Sequence, residues 1–174
     1  MINEIISGGQ TGVDQAALDA AIELNIPYSG KCPKGRIAED GVIPKRFSNL
    51  EEVSGEFKTE KDNYDARTKK NIEESDGTLI IVPKIPLPLA IKDGTLLTIE
   101  EVKRQGKPYL LVDLSTPLNT NSELIISWAN KYEIRRLNVA GPRESNAKGI
   151  NKLSFDLLKM TLPHLYMPVL RARL

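Results

Sequence analysis

Two runs constrain the fold most. "TLIIVP" from Thr78 and "PYLLVDL" from Pro108 are almost continuously apolar, the pattern of strands covered on both faces in a parallel sheet. Two further β-rich runs, "INEII" at the start and "RLNVAG" from Arg136, accompany them. Helical periodicity follows three of the four. Val13, Ala17, Ala20 or Ala21, and Leu24 form one apolar face after the first run. After "LLVDL", Thr120 with Glu123 reads as a capping box and Leu124, Trp128 and Tyr132 as a stripe. Ile150, Leu153 and Leu157 follow "NVAG". The helix after "TLIIVP" is delayed, beginning near Gly94 and Thr95 and running through Leu96, Ile99 and Val102. Strands alternating with helices imply right-handed crossovers and an α/β fold with a mostly parallel, doubly wound sheet. The order of the strands stays open. Residues 28–62, rich in Gly, Pro and charge and poor in periodicity, read as a functional connection or one decorated with short elements.

A chain of 174 residues suits one domain, residues 1–174, around one sizeable core. Its 24 basic and 23 acidic side chains leave no global field favouring nucleic acid or an anionic membrane, so any anion site must be local. The apolar runs are too short to span a bilayer and the start lacks a secretory pattern, which points to the cytoplasm. A lone cysteine, Cys32, excludes an intramolecular disulfide framework and fits a reducing compartment. With no histidine near it, a nucleophilic role is disfavoured. His164, in "TLPHLYMPVL", reads as a surface residue of a tail-like segment. One Cys and one His do not make a zinc site, and no metal site is expected.

In an open α/β sheet, ligands bind outside the carboxyl ends of the strands. The segments there are "SGGQTGVD", "PKIPLPLAIKDGT", "DLSTPLNT" and "AGPRES". Against the dinucleotide fingerprint G-x-G-x-x-G, the first gives Ser7-Gly8-Gly9-Gln10-Thr11-Gly12, with serine for the first glycine. Gly9 would let the backbone approach an anion, and Gly12 would let helix pack closely on strand. The competing reading is a turn in which Thr11 caps the helix and Asp14 caps back. Asp14 already complements the helix dipole and would repel a bare phosphate. It therefore only caps, or faces a hydroxyl or metal of the ligand.

In "GPRES", Arg143 offers a planar fork for phosphate or carboxylate, Pro142 stiffens the turn, and Glu144 and Ser145 follow. The plainer alternative is an exposed Arg and a Glu that caps the next helix. Lys34, Arg36, Lys45 and Arg46, set against Glu39 and Asp40, make residues 32–47 either a flap closing on an anionic ligand or a solvated loop. Tyr64, Arg67 and Asn71 share one face if "YDARTKKNI" is a helix, and a solvated face is the safer reading. Gly94 and Thr95 open a helix whose N–H groups either hold a second anion or form a simple turn.

Together "SGGQTGVDQAALDAAIELNIP", "CPKGRIAEDGVIP", "RTKKNIEESDGTLIIV", "DGTLLT", "GKPYLLVDL" and "LNVAGPRES" resemble the "putative molybdenum carrier" family, a circularly permuted branch of the YpsA/SLOG superfamily. The resemblance runs in order over roughly residues 1 to 150. Relatives among DNA-processing proteins place a "GSR-x-S" strand end before an "SG-x-x-x-GID" loop. Here "AGPRES" comes last and "SGGQTGVD" first, as a permutation would give. The resemblance implies a three-layer Rossmann-like fold. It also implies a nucleotide-like or molybdopterin-like ligand at Ser7, Gly8, Gly9, Gln10, Thr11, Gly12 and Asp14, at Gly94 and Thr95, and at Gly141, Arg143, Glu144 and Ser145. Two positions depart from the pattern. Asp93-Gly94 stands where relatives show a glycine pair, and Lys148 where they often have proline.

Three functions follow. The first is a carrier or binding module for a phosphorylated ligand, a nucleotide or the molybdenum cofactor. The second is an enzyme resembling the lonely-guy phosphoribohydrolases, with Glu144, Asp14 or Glu101 as the candidate carboxylate. Its "PGG-x-GT-x-x-E" loop survives only as Gly94, Thr95 and Glu100 or Glu101. Nucleic-acid processing is the least favoured, given near-neutral charge and few aromatic residues. Whether a reaction occurs stays open on the residues alone. Membership of the superfamily implies a homo-oligomer by analogy.

Overall fold

The structure, a computed structural model, describes residues 1–91 and 94–167. Asp93, singled out above, and the end of the tail lie outside them. Five strands build the main sheet: β1 (Glu4–Ile6), β2 (Tyr28–Ser29), β7 (Gly77–Val82), β8 (Tyr109–Asp113) and β9 (Arg136–Ala140), in the order β2-β1-β9-β7-β8 with every pair parallel. The helices are α1 (Val13–Glu23), α2 (Glu60–Glu74), α3 (Gly94–Arg104), α4 (Leu118–Lys131) and α5 (Ile150–Thr161). This is a Rossmann-like α/β fold, with the delayed α3 where its sequence places it.

Alternation along β7 sorts the two faces. Leu79 and Ile81 pack with Val13 and Ala17 of α1, Ile125 of α4 and Leu157 of α5. Ile80 and Val82 pack with Ile72 of α2 and Val102 of α3. The steps β1 to β2 and β8 to β9 run the same way across the sheet and carry α1 and α4 on one face. The opposite step, β7 to β8, carries α3 on the other, as a single crossover hand requires. The chain therefore leaves β9 toward one face and β7 toward the other, and opens a crevice at their carboxyl ends.

Residues 28–53 hold short elements with no periodicity to betray them. They are β3 (Lys31–Cys32) parallel to β6 (Glu51–Glu52), and the hairpin of β4 (Ile37–Ala38) with β5 (Gly41–Val42). Under them Cys32 packs with Leu18, Ile43, Phe47 and Leu50. Burial pushes its thiol pKa up, so this cysteine acts as a small apolar side chain.

Four local expectations are corrected. α4 starts after Pro117 with no side-chain cap, so the Thr120 and Glu123 box does not form. Of the expected stripe Trp128 is buried but Leu124 and Tyr132 are exposed, and Trp128 shares the buried face of α4 with Asn121, Ile125 and Ala129. Asn121 belongs inside because its Nδ2 donates to the Asp113 and Thr116 carbonyls at the end of β8. Leu153 is likewise exposed, while Ile150 and Leu157 are buried. The segment after α5 is no free tail. Leu162 and Leu165 are buried, and the Ile2 N–H donates to the Leu165 carbonyl. His164 is exposed.

Candidate functional site

The "SGGQTG" loop after β1 and the "GPRES" turn after β9 form one unit. Gly12 has φ +78, and a Cβ there would sit 2.3 Å from the Pro142 carbonyl oxygen. Only glycine combines that backbone with that approach. The Thr11 hydroxyl accepts from the Glu144 N–H at 3.2 Å, and the Asn151 side chain donates to the Gly12 carbonyl. Ser7 Oγ donates to the Val139 carbonyl at 2.8 Å, tying β1 to β9 under Gly141. Gln15 Nε2 donates to the Gly9 carbonyl.

Thr11 does not cap α1: Gly12 occupies the cap position and no side chain caps it. Asp14 accepts from the Gln10 N–H at 3.3 Å and pairs with Arg67 Nη1 of α2 at 2.7 Å. The Asp14 side chain is 3% exposed and that of Arg67 12%. Burial raises the Asp14 carboxyl pKa, and the Arg67 charge and the Gln10 N–H only partly offset it. Gly8 makes the pairing possible, because the Arg67 guanidinium runs through the space a Cβ would fill, with Nη1 1.9 Å from it. So the face of Tyr64, Arg67 and Asn71 is not a solvated one. Asn71 is buried, and its side chain bonds both the N–H and the carbonyl of Lys31.

Glu39, at the tip of the β4–β5 hairpin, reaches into this unit. Its carboxylate accepts from the Thr11 hydroxyl, the Ser145 hydroxyl and, at 3.1 Å, the Ser145 N–H. Its own N–H donates to Gln10 Oε1, which also accepts from the Thr11 N–H. Burial pushes the Glu39 carboxyl up, but the bonds from Ser145 and Thr11 and the Arg143 charge outweigh it and hold the pKa below the ordinary value.

Two cavities flank the unit. One, of about 800 Å³, is lined by Thr11, Gln15, Glu39, Ser145, Lys148 and Asn151 among others. The other, of about 280 Å³, is lined by Tyr64, Arg67, Gly94 and Arg143 and by the acids Glu60 and Asp65, among others, and takes in both the turn after β9 and the start of α3. Arg143 stands with its guanidinium 5.6 Å from the centre of the Tyr64 ring and its Nε 4.0 Å from Glu39. Among the described residues it donates no hydrogen bond. Arg67 Nε is buried without a partner.

The side chains of the remaining candidates are engaged in other contacts. Arg36 donates to the Leu50 and Phe47 carbonyls, and Lys34 Nζ to the Gly55 carbonyl, so both brace their own loop. Thr95 is buried in the first turn of α3. The Glu144 carboxylate accepts from the Gly149 and Asn151 N–H groups at the start of α5, which is a helix cap. Glu101 is held by Arg104 and Gln105, roughly 10 Å along α3 from Gly94. Sequence reasoning missed Glu39 as a member of the site. Its one signal was an acid among four cations in the flap.

The family described as circularly permutated YpsA SLOG matches residues 5–162. A solved structure titled "putative molybdenum carrier protein", from Syntrophus aciditrophicus, is 42% identical, covers 92% of this chain and 95% of its own, and superposes with a TM-score of 0.83. No curated protein matches the chain. Among the described residues no helix is long and apolar enough to cross a membrane, and no three His, Cys, Asp or Glu side chains gather as a cation site.

Proposed function

This chain belongs to the circularly permutated YpsA SLOG family, and from that premise we propose that it is a binding module for a small phosphorylated ligand of nucleotide or pterin type. The observation that carries the reading is Arg143, a guanidinium with no hydrogen bond among the described residues, beside Tyr64, Arg67 and Gly94 in the crevice between β9 and β7. A planar fork of donors whose only ion pair among the described residues is with Glu39, at 4.0 Å, is matched to the oxygens of a phosphate or another tetrahedral oxyanion. The Tyr64 ring offers a flat apolar surface beside it.

The carboxylates that a hydrolytic reading would use are engaged elsewhere. Glu144 caps α5, Asp14 is paired with Arg67, and Glu101 with Arg104. That favours holding the ligand over cleaving it. The related structure's title names a molybdenum carrier, and the molybdenum cofactor, which carries a phosphate on its pterin, is the cargo this reading extends to. The chain would serve in a reducing compartment such as the cytoplasm, where the buried Cys32 stays a thiol. Self-association belongs to the same reading, with Leu124, Tyr132, Leu153 and Met160 as exposed apolar surface.

The test is thermal denaturation with saturating AMP, and separately with molybdopterin. Wild-type protein should gain stability as a ligand at 100 times its Kd does, about 2.7 kcal/mol, and Arg143→Ala should lose most of the gain. No shift with either ligand would reject the reading.

A further inference from the structure

Glu39 makes more hydrogen bonds within the loop unit than a hairpin tip needs. Thr11 Oγ1, Ser145 N and Ser145 Oγ converge on its two carboxylate oxygens, and the Arg143 guanidinium stands behind them at 4.0 Å. A backbone N–H, two hydroxyls and a guanidinium make a set of donors for an anion, and here the anion is the chain's own. The fit is incomplete. Oε1 takes Thr11 and the Ser145 N–H, Oε2 takes the Ser145 hydroxyl and stands 4.0 Å from Arg143 Nε, and among the described residues the Arg143 fork makes no hydrogen bond to an oxygen. A tetrahedral oxyanion brings a third oxygen and, as a phosphate monoester, a second negative charge. Among the described residues Arg143 has the Glu39 charge at 4.0 Å but no hydrogen-bonded oxygen, and the tetrahedral ion would supply one. Glu39 also lines the larger cavity and stands 4.0 Å from Arg143, which lines the smaller.

We infer that Thr11, Ser145 and Arg143 form a tetrahedral-oxyanion subsite which Glu39 fills in the unliganded chain, and that the ligand enters by displacing the Glu39 carboxylate. Displacement frees the tip of the β4–β5 hairpin and moves Glu39 away from both the wall of the larger cavity and Arg143 of the smaller. The inference rests on the proposed binding reading and deepens it by naming the subsite and its occupant.

Calorimetric titration at pH 7 with inorganic phosphate, molybdate and AMP tests it on wild-type protein, Glu39→Ala and Glu39→Gln. An occupied site lowers apparent affinity by the fraction of time it is free, so both variants should bind each oxyanion at least about tenfold more tightly. Weaker or unchanged binding would overturn the inference, since Glu39 would then contact the ligand or only brace the hairpin. Hydrogen exchange on wild-type protein gives an answer independent of the variants' folding. Saturating AMP should speed exchange over residues 37–42, and slower exchange there would overturn the inference. Arg143→Ala separates the two levels. If Arg143→Ala abolishes binding while the Glu39 variants do not tighten it, only the displacement fails. If Arg143→Ala binds as wild type does, or no oxyanion binds at all, the binding reading fails with it.

Discussion

The sheet with α1, α4 and α5 is held by one large apolar core, whereas the segment from Tyr28 to Val53 sits on a small apolar cluster and is positioned by polar grips. On the first side Ile5, Leu79, Ile81, Leu137 and Val139 interlock with three helical faces. On the second, strands of two residues have too little ladder to stand alone. Asparagines on α2 position them. Asn71 bonds both the N–H and the carbonyl of Lys31, and Asn63, eight residues earlier, does the same to Lys34. Arg36 closes the loop from inside through two carbonyls. The candidate site lies on the seam between the sides, with its glycine loop on the rigid part and Glu39 on the hairpin. A seam of this kind can open on one side without loosening the sheet.

The sharpest way to break the contrast is Arg67→Met, because the Asp14–Arg67 pair crosses the seam under cover. Removing one partner of a buried pair leaves a charge without compensation, at a cost of about 3–5 kcal/mol. Urea unfolding at pH 7 reads it. The pH dependence has a fixed sign. Without Arg67 the folded Asp14 pKa rises further above the unfolded value near 3.8. The folded state then holds more protons above that pH, and stability falls as pH rises. The deficit against wild type should therefore shrink at pH 4. A deficit below about 1 kcal/mol at pH 7 would mean that the apolar side carries the seam unaided.

Asn71→Ala comes next, at about 1–3 kcal/mol for leaving the Lys31 N–H and carbonyl without partners. Its signature is local: amide exchange should quicken at Lys31 and through β3 and β6 while β7 stays protected. Equal acceleration in β7 would show that the two sides unfold as one.

This contrast also explains what could be read from the sequence. A continuous apolar run located β7, buried throughout, and i, i+4, i+7 spacing located α1, because burial imposes those patterns on composition. The similar run of β8 marks a strand at the sheet's edge, buried only at Val112 and not fully covered on both faces. β3, β4, β5 and β6 carry no such period, since side-chain-to-backbone bonds from Asn63, Asn71 and Arg36 leave no regular trace. The stripe in α4 was misplaced for a related reason. Asn121 faces inward to satisfy carbonyls at the end of β8, and its polar side chain hid the buried face. At the site, the glycine pattern placed the loop, but the partner of Asp14 lay 53 residues away in Arg67, beyond the reach of any spacing argument.

The smallest effect comes from the α2–α3 contact, where charge and burial meet away from the seam. Glu101 is 3% exposed, accepts from Arg104 Nε at 3.0 Å and from Gln105 Nε2 at 2.7 Å, and Gln105 also donates to the Lys69 carbonyl on α2. The hydrogen bond from Arg104 leads in lowering its pKa, against the push of burial and with help from Gln105, to about 2. A depressed carboxyl pKa stabilises the folded chain above the unfolded value of 4.5, and that stability is lost as pH falls from there through about 2. Glu101→Gln should therefore lower Tm at pH 7 by at most about 4 °C, since Arg104 is solvated and its pull is screened. The difference from wild type should close between pH 4.5 and 2. Glutamine keeps an acceptor for Arg104, so the part of the gap that closes as pH falls through this range measures charge, and a gap that persists below the folded pKa measures shape. A gap that stays constant across the titration would assign Glu101 to packing alone and move this contact from the polar class to the apolar one.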